Sequence, residues 1–251
     1  THLGKAIFEA GHDVVQVFSR TMQSASVLAS QLGAQPVTEI TSVRDDADMY
    51  IFSVKDSALA ELVPRVCKKN ENQVFLHTAG SIPMSMFRGM ALHYGVLYPM
   101  QTFSKQREVD FLKIPCFVEA NDEFALRQIG DLAHQVSQRV YQLSSEDRRY
   151  LHLSAVFACN FVNHCYAISQ DILQERGIPF DVMLPLIDET AAKVHELSPM
   201  DAQTGPAVRY DTNVIRAQGA LLKANPIVKD IYDRMSMSIH QMQNSKKERN
   251  K

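Results

Sequence analysis

Little in this sequence could build a disulfide or metal framework. The four cysteines, Cys67, Cys116, Cys159 and Cys165, include no CxxC pair. That argues against a zinc ribbon or a disulfide scaffold, and for reduced thiols in an intracellular, cytoplasmic protein. No metal site is expected. An excess of one charge is missing too: 26 Lys and Arg stand against 28 Asp and Glu, for a net charge of −2. Such a balance gives no electrostatic reason to expect a nucleic acid or an anionic membrane as partner. No apolar run approaches the roughly 20 residues of a membrane-spanning helix, and no internal repeat is visible.

What is present begins with Thr1 to Thr21, THLGKAIFEAGHDVVQVFSRT. Leu3, Ala6, Ile7 and Ala10 recur at helical spacing, and Gly11 stands where a left-handed cap would end the helix. Asp13 to Phe18 is a β-branched and apolar run long enough for one strand. Ser19, Arg20 and Thr21 close that strand. In a dinucleotide-binding βαβ unit this is where the cofactor ribose is read. An acidic residue there suits the free 2′-hydroxyl of NAD, whereas Arg with flanking hydroxyls suits the 2′-phosphate of NADP. The sequence offers Arg and no carboxylate, so NADP is the expected cofactor. The glycine-rich turn of such a unit, and the strand before it, would precede Thr1. That strand is expected to lie between the Val14–Phe18 and Met49–Val54 strands, because without it a parallel sheet would expose inner edges. The alternative is an ordinary amphipathic helix and strand with a surface arginine.

Further on, helical and strand patterns alternate. Ser24 to Gly33 reads as a helix ending in glycine, Pro36 to Ile40 as a short strand, and Asp48 to Val54 as a buried strand. A helix through Val66 and a strand from Gln73 to His77 follow. His93 to Phe103 and Pro115 to Ala120 look like further strands joined by a polar loop, Ser104 to Asp110, and Val140 to Leu143 like the last. Alternation of this kind predicts a parallel, doubly wound sheet with ligands beyond the carboxyl ends of its strands. The ends Ser19-Arg20-Thr21, Val54-Lys55-Asp56 and His77-Thr78-Ala79-Gly80 therefore face one crevice. His77 either donates to a nicotinamide or substrate carbonyl or caps its strand end. Lys55 either lines the cofactor ribose or is a solvated loop lysine.

After Ser144 the chain turns helical. Ser144 and Asp147 are spaced as a capping box, and the helix can run to Gly177 without proline or glycine. His152, Asn160, Asn163 and His164 sit among its apolar residues. On a helix advancing about 100° per residue, His152 and Asn163 align within roughly 20°. Polar groups on a mostly buried helix need partners, supplied either by an interhelical network or by a substrate. A helix from Phe180 to Leu197, interrupted or kinked near Pro185, leads to Thr204 to Asp211, TGPAVRYD. In this segment Asp211 is a good N-cap, and Thr204 and Arg209 stand either at a structural hinge or on the rim of a pocket. Pro226 opens a last helix to about Gln243, and Ser245 to Lys251 is a charged, frayed tail.

THLGKAIFEAGH, VFSRT, SVKDSAL, HTAGSIPM, YPMQTF, the histidine–asparagine helix and TGPAVRYD occur in this order. Together they resemble two-domain proteins with a Rossmann-like NADP-binding domain and an all-helical C-terminal domain of unknown function. That family is similar to pyrroline-5-carboxylate reductase and ketopantoate reductase. The resemblance implies NADP bound at Ser19, Arg20 and Thr21, with Val54, Lys55 and Thr78 near the ribose and nicotinamide. It also implies an interdomain cleft and a homodimer through the helical domain. One departure stands out: ketopantoate reductase-like enzymes carry a catalytic lysine on the first helix of the second domain, and Ser144 to Arg176 contains none.

The expected architecture is thus a Rossmann-like α/β domain, residues 1–143, followed by an all-α domain, residues 144–251. The expected function is NADP-dependent reduction of a small carbonyl or imine compound. His152, Asn160 and His164 are the candidates for proton donation or substrate orientation, with Thr204 and Arg209 on the substrate and Arg209 as an anion clamp. The competing reading is a nucleotide-binding sensor or interaction protein that has lost catalysis. A methyltransferase-like domain is disfavoured, because Arg20 stands where an acid would bind the adenosine ribose.

Overall fold

The computed structural model describes residues 1–104 and 106–249. Lys105 of the polar loop and the last two residues of the charged tail lie outside the described residues. The chain divides into two compact units, Thr1–Phe161 and Val162–Lys251. The last strand ends well before that division, so the change from strands to helices and the boundary between units fall at different places.

In the first unit the order is α1 (His2–Glu9), β1 (Gln16–Phe18), α2 (Met22–Leu32), β2 (Gln35–Val37), β3 (Met49–Phe52), α3 (Asp56–Val66), β4 (Val74–His77), β5 (His93–Pro99), β6 (Cys116–Ala120), α4 (Glu123–Val136), β7 (Val140–Gln142) and α5 (Ser145–Ala155). α1 buries Leu3, Ala6 and Ile7, its helical-spaced face, and Gly11 follows with φ +90°. Thr21 caps α2 by accepting from the Ser24 N–H, and Gly33 ends that helix in the left-handed conformation.

β1 pairs with β2 in a small parallel sheet, and β3 to β7 form a second sheet in sequence order. β1 and β3 are not paired with each other, but the Gln16 amide donates to Ser42 O and accepts from Arg44 N, tying β1 to the segment before β3. β3, β4 and β5 run parallel, as the alternation predicts. β6 does not: it runs antiparallel to β5, with Tyr98 opposite Phe117. The direction of β6 departs from the expected all-parallel sheet, while the doubly wound arrangement, with helices on both faces, holds. Among the described residues the link between β5 and β6 contains a 3-10 turn, Phe111–Lys113, and no crossover helix to carry the chain back for parallel pairing. α4, capped by Asp122, then provides such a crossover to β7, which pairs parallel with β6.

Both faces of the larger sheet are covered. Val74 and Leu76 point into a core with Leu3, Ile7, Ile129 and Leu132 from α1 and α4. Phe75, on the opposite face, packs with Leu59 and Val63 of α3 and with Phe87 and Tyr94. Gly95 allows the tightest approach in this core, because a β-carbon there would lie 2.1 Å from the Glu119 carbonyl oxygen.

The second unit contains α6 (Val162–Gln174), α7 (Leu184–Glu196), the short α8 (Pro199–Ala202) and α9 (Pro206–Arg209), α10 (Thr212–Leu221) and α11 (Pro226–Arg249). Pro185 starts α7 at its first turn instead of kinking it, where its missing N–H costs nothing. Asp211 caps α10 by accepting from Val214 N. α11 continues to Arg249, past the point where a frayed tail was expected. Its side chains hold the unit together: Tyr232 donates to Gln218 of α10, Gln243 to the Met200 carbonyl, and Lys246 pairs with Asp201.

Candidate active site at the carboxyl ends of the strands

α5 carries His152 onto the ends of β4 and β5. The imidazole lies against Gly80, directly after β4, where a β-carbon would come within 2.6 Å of Nδ1. Only glycine leaves that space. The same nitrogen stands 3.1 Å from the Tyr98 hydroxyl near the end of β5, and the rings meet edge to face with centroids 6.1 Å apart. Tyr98 is 9% exposed, and burial raises its pKa against the opposing pull of the Arg148 guanidinium. The phenol is therefore protonated at neutral pH.

Arg148, one turn before His152, is 1% exposed. Its Nη1 donates to Glu119 Oε2 at 2.5 Å and its Nη2 to the Ile82 carbonyl at 2.6 Å. Ser145 adds to this network, donating its backbone N–H and its hydroxyl to the two Glu119 oxygens and accepting from Met84 N. The start of α5, strand β6 and the segment after Gly80 are thereby locked into one arrangement. A buried ion pair supplied with this many hydrogen bonds fixes geometry more than it adds stability.

His77, with two readings open from the sequence, is fully buried and stacks on Phe87. Its Nδ1 accepts from the Ala79 N–H at 3.1 Å, the strand-end capping geometry. Burial, reinforced by the Arg148 charge, pushes its pKa down to about 4, so the ring is neutral. Beside it, Thr78 reaches Ser53 at the end of β3, and the Ser81 hydroxyl donates to Asp56 at 2.5 Å. Val54 and Lys55 are exposed at the same edge. Ser19 donates its N–H to Val37 O, Thr21 is engaged as the α2 cap, and Arg20 is exposed. Among the described residues the Arg20 side chain has no hydrogen-bond or ion-pair partner.

The helix after His152 is not uniform: Val156–Phe161 is a π-helical segment. Its i→i+5 bonding widens the turn, so the 100° advance used to align His152 with Asn163 does not apply across it. Segments of this kind recur at functional sites. Asn160 lies within it and is exposed, and the helix expected to be mostly buried shows Phe157 at 62% and Phe161 at 50% exposure. In the second unit His164, Thr204 and Arg209 are exposed. Tyr210, next to Arg209, takes the left-handed conformation at φ 55° and stacks on His240 at 4.3 Å.

Residues 1–97 match a Rossmann-like domain family, and residues 114–239 match the family described as a domain of unknown function (DUF2520). A candidate NADP oxidoreductase from Bacteroides fragilis is 51% identical over 96% of this chain and 93% of its own, with a TM-score of 0.91. The chain belongs to the DUF2520 family. More distant structures share the fold of this DUF2520 protein. An imine reductase from Myxococcus stipitatus in complex with NADP+ is 15% identical, with 97% of this chain and 90% of the other covered and a TM-score of 0.65. A 1-pyrroline-5-carboxylate reductase from Streptococcus pyogenes is 14% identical, covering 96% and 95%, with a TM-score of 0.60. No curated protein matches the chain. Among the described residues no helix is long and apolar enough to cross a membrane.

In this DUF2520 chain Tyr98, Glu119 and Arg148 join the site without having stood out as candidates in the sequence. Glu119 does leave a trace, being an acid inside the apolar strand CFVEA, where a buried carboxylate must find a partner. Arg148 leaves none, because an arginine in the first turns of a helix reads as solvated.

Proposed function

We propose that the protein is an NADP-dependent oxidoreductase that reduces a small carbonyl or imine compound. The observation that carries this reading is Arg20, exposed and unpartnered among the described residues at the end of β1, between two hydroxyl residues and with no adjacent carboxylate. That donor set fits a 2′-phosphate, which a planar guanidinium binds through paired charge-assisted hydrogen bonds. The hydroxyls of Ser19 and Thr21 flank it, and Val54, Lys55 and Thr78, with His77 beneath, form the edge along which the rest of the dinucleotide would lie. When bound, NADPH supplies the hydride.

The chain's own part is to orient the substrate and to provide a proton. His152 is the candidate donor, half-buried at the ends of β4 and β5 and held against Gly80. Asn160 and His164 stand with His152 as candidates for proton donation or substrate orientation, and Thr204 and Arg209 for substrate contact, with Arg209 for an anionic group. The names of the relatives, an NADP oxidoreductase candidate, an imine reductase and a 1-pyrroline-5-carboxylate reductase, support the same class. A homodimer through the helical unit and a cytoplasmic location belong to the proposal. Thermal-shift titration with NADPH and NADH tests it. Stabilisation at lower NADPH than NADH concentration is expected, and equal responses would overturn the NADP assignment. NADPH binding without turnover of any carbonyl or imine would favour the sensor.

A further inference from the structure

We infer that Tyr98 holds His152 in its Nε2–H form and resupplies the proton that His152 gives up. This rests on the reductase reading above and adds a residue to it. The hydroxyl oxygen of Tyr98 is 3.1 Å from Nδ1 of His152, and among the described residues it has no other hydrogen-bond partner. A hydroxyl with one acceptor in reach donates to it. Nδ1 then holds a lone pair, and the ring proton of neutral His152 resides on Nε2.

The surroundings fix this arrangement. Gly80 gives the ring its seat, since a β-carbon there would lie 2.6 Å from Nδ1 and 2.8 Å from Cγ. The Tyr98 ring is buried and meets the imidazole edge to face, and the hydroxyl is kept protonated by that burial. Among the described residues Nε2 has no partner, and His152 is not fully buried.

The proton balance follows. As hydride adds to the carbon of the C=O or C=N group, the Nε2–H bond breaks and an O–H or N–H bond forms on the substrate. The Tyr98 O–H bond breaks and an Nδ1–H bond forms, so His152 stays neutral. The negative charge rests briefly on the Tyr98 oxygen, where burial disfavours it and the Arg148 guanidinium offsets part of that cost, and water returns the proton. Tyr98 is thus a positioning residue that acts through His152.

The test is Tyr98→Phe, which removes one oxygen and leaves the packing. With ¹⁵N-histidine labelling, the wild-type His152 spectrum should show the Nε2–H tautomer near neutral pH and Tyr98→Phe a mixture of tautomers. An Nδ1–H tautomer in the wild type would overturn the proposal. In turnover, the variant should lose about tenfold or more in kcat with NADPH affinity unchanged, and an unchanged kcat would overturn the resupply. If the wild type binds NADPH but reduces no substrate, the tautomer still decides the inference, and the failure belongs to the reductase reading.

Discussion

Arg148 of α5 and Glu119 of β6 meet at 2.5 Å with almost no access to water, 1% and 14% of the two side chains being exposed. Removing one partner strands the other as a buried charge, at about 3–5 kcal/mol. Glu119→Ala and Arg148→Ala are each expected to lower the urea midpoint by a corresponding amount. Arg148→Met with Glu119→Leu together should cost much less than the sum, because no charge is left unpaired. A double variant as unstable as the two singles combined would show that the network does more than satisfy itself.

The buried His77 makes stability depend on pH. Its pKa is about 4 in the folded chain against an ordinary 6.5. Between these values the unfolded chain takes up a proton that the folded chain refuses. Stability from this group is present above pH 6.5, falls as pH drops through the window and levels off near pH 4. The total is about 3 kcal/mol. His77→Asn, which keeps an acceptor for the Ala79 N–H and does not titrate, should flatten that part of the curve of unfolding free energy against pH. An unchanged slope would place the effect on other groups.

Gly80→Ala tests the seat of His152. The added methyl must displace the ring, whose Cβ is itself 3.1 Å away, so rotation of the side chain alone gives little relief. A cost of about 1–3 kcal/mol is expected from overpacking, along with loss of the Tyr98–His152 hydrogen bond. Turnover should fall far more than NADPH affinity, measured by kcat alongside a direct binding titration. An alanine variant with full kcat would remove His152 from the proposed chemistry.

Much of the first unit was legible, because its signals are local. Gly11 and Gly33 end helices where their positive φ is needed, and Ser144 caps the helix that follows it, as Asp211 does in the second unit. Strand direction is not local: CFVEA has the same apolar character whether it runs parallel or antiparallel, and the length of a helix-free connection decided it. The π-helical segment has no residue signature, since VFACNF would fit an α-helix equally well. The Tyr98–His152 pair is 54 residues apart in sequence, so its members were readable only singly. His152 drew notice because a histidine in an apolar helix stands out; Tyr98, within a strand, did not.

The proposed role of Arg20 in choosing the cofactor can be tested directly. Arg20→Ala should weaken NADPH binding by about 1.5–3 kcal/mol, the range for a hydrogen bond to a charged group, and leave NADH nearly unchanged. The ratio of the two dissociation constants, measured at fixed ionic strength, is the discriminating quantity. A loss shared equally by both dinucleotides would mean that Arg20 reads something other than the 2′-phosphate.

The helical unit makes the strongest case for a second copy of the chain. Among its described residues Ala207, Gly219 and Ser236 are the buried ones, too few for an independent core of ordinary size. Large apolar side chains lie open instead, with Leu186 at 62%, Ile227 at 74% and Leu221 at 78% exposure. Exposed apolar surface of this extent marks an interface, and an obligate homodimer commonly buries more than about 2,000 Å². Sedimentation equilibrium at micromolar concentration should therefore report a dimer. Each large aliphatic side chain buried there is worth about 1.5–3 kcal/mol, so Leu186→Glu and Ile227→Glu should each weaken association at least tenfold if they lie within it. The first unit has its own core on both faces of its sheet, so its helical content should be retained in these variants. A wild-type monomer at that concentration would refute the dimer, and the apolar faces of the second unit would then need a different cover.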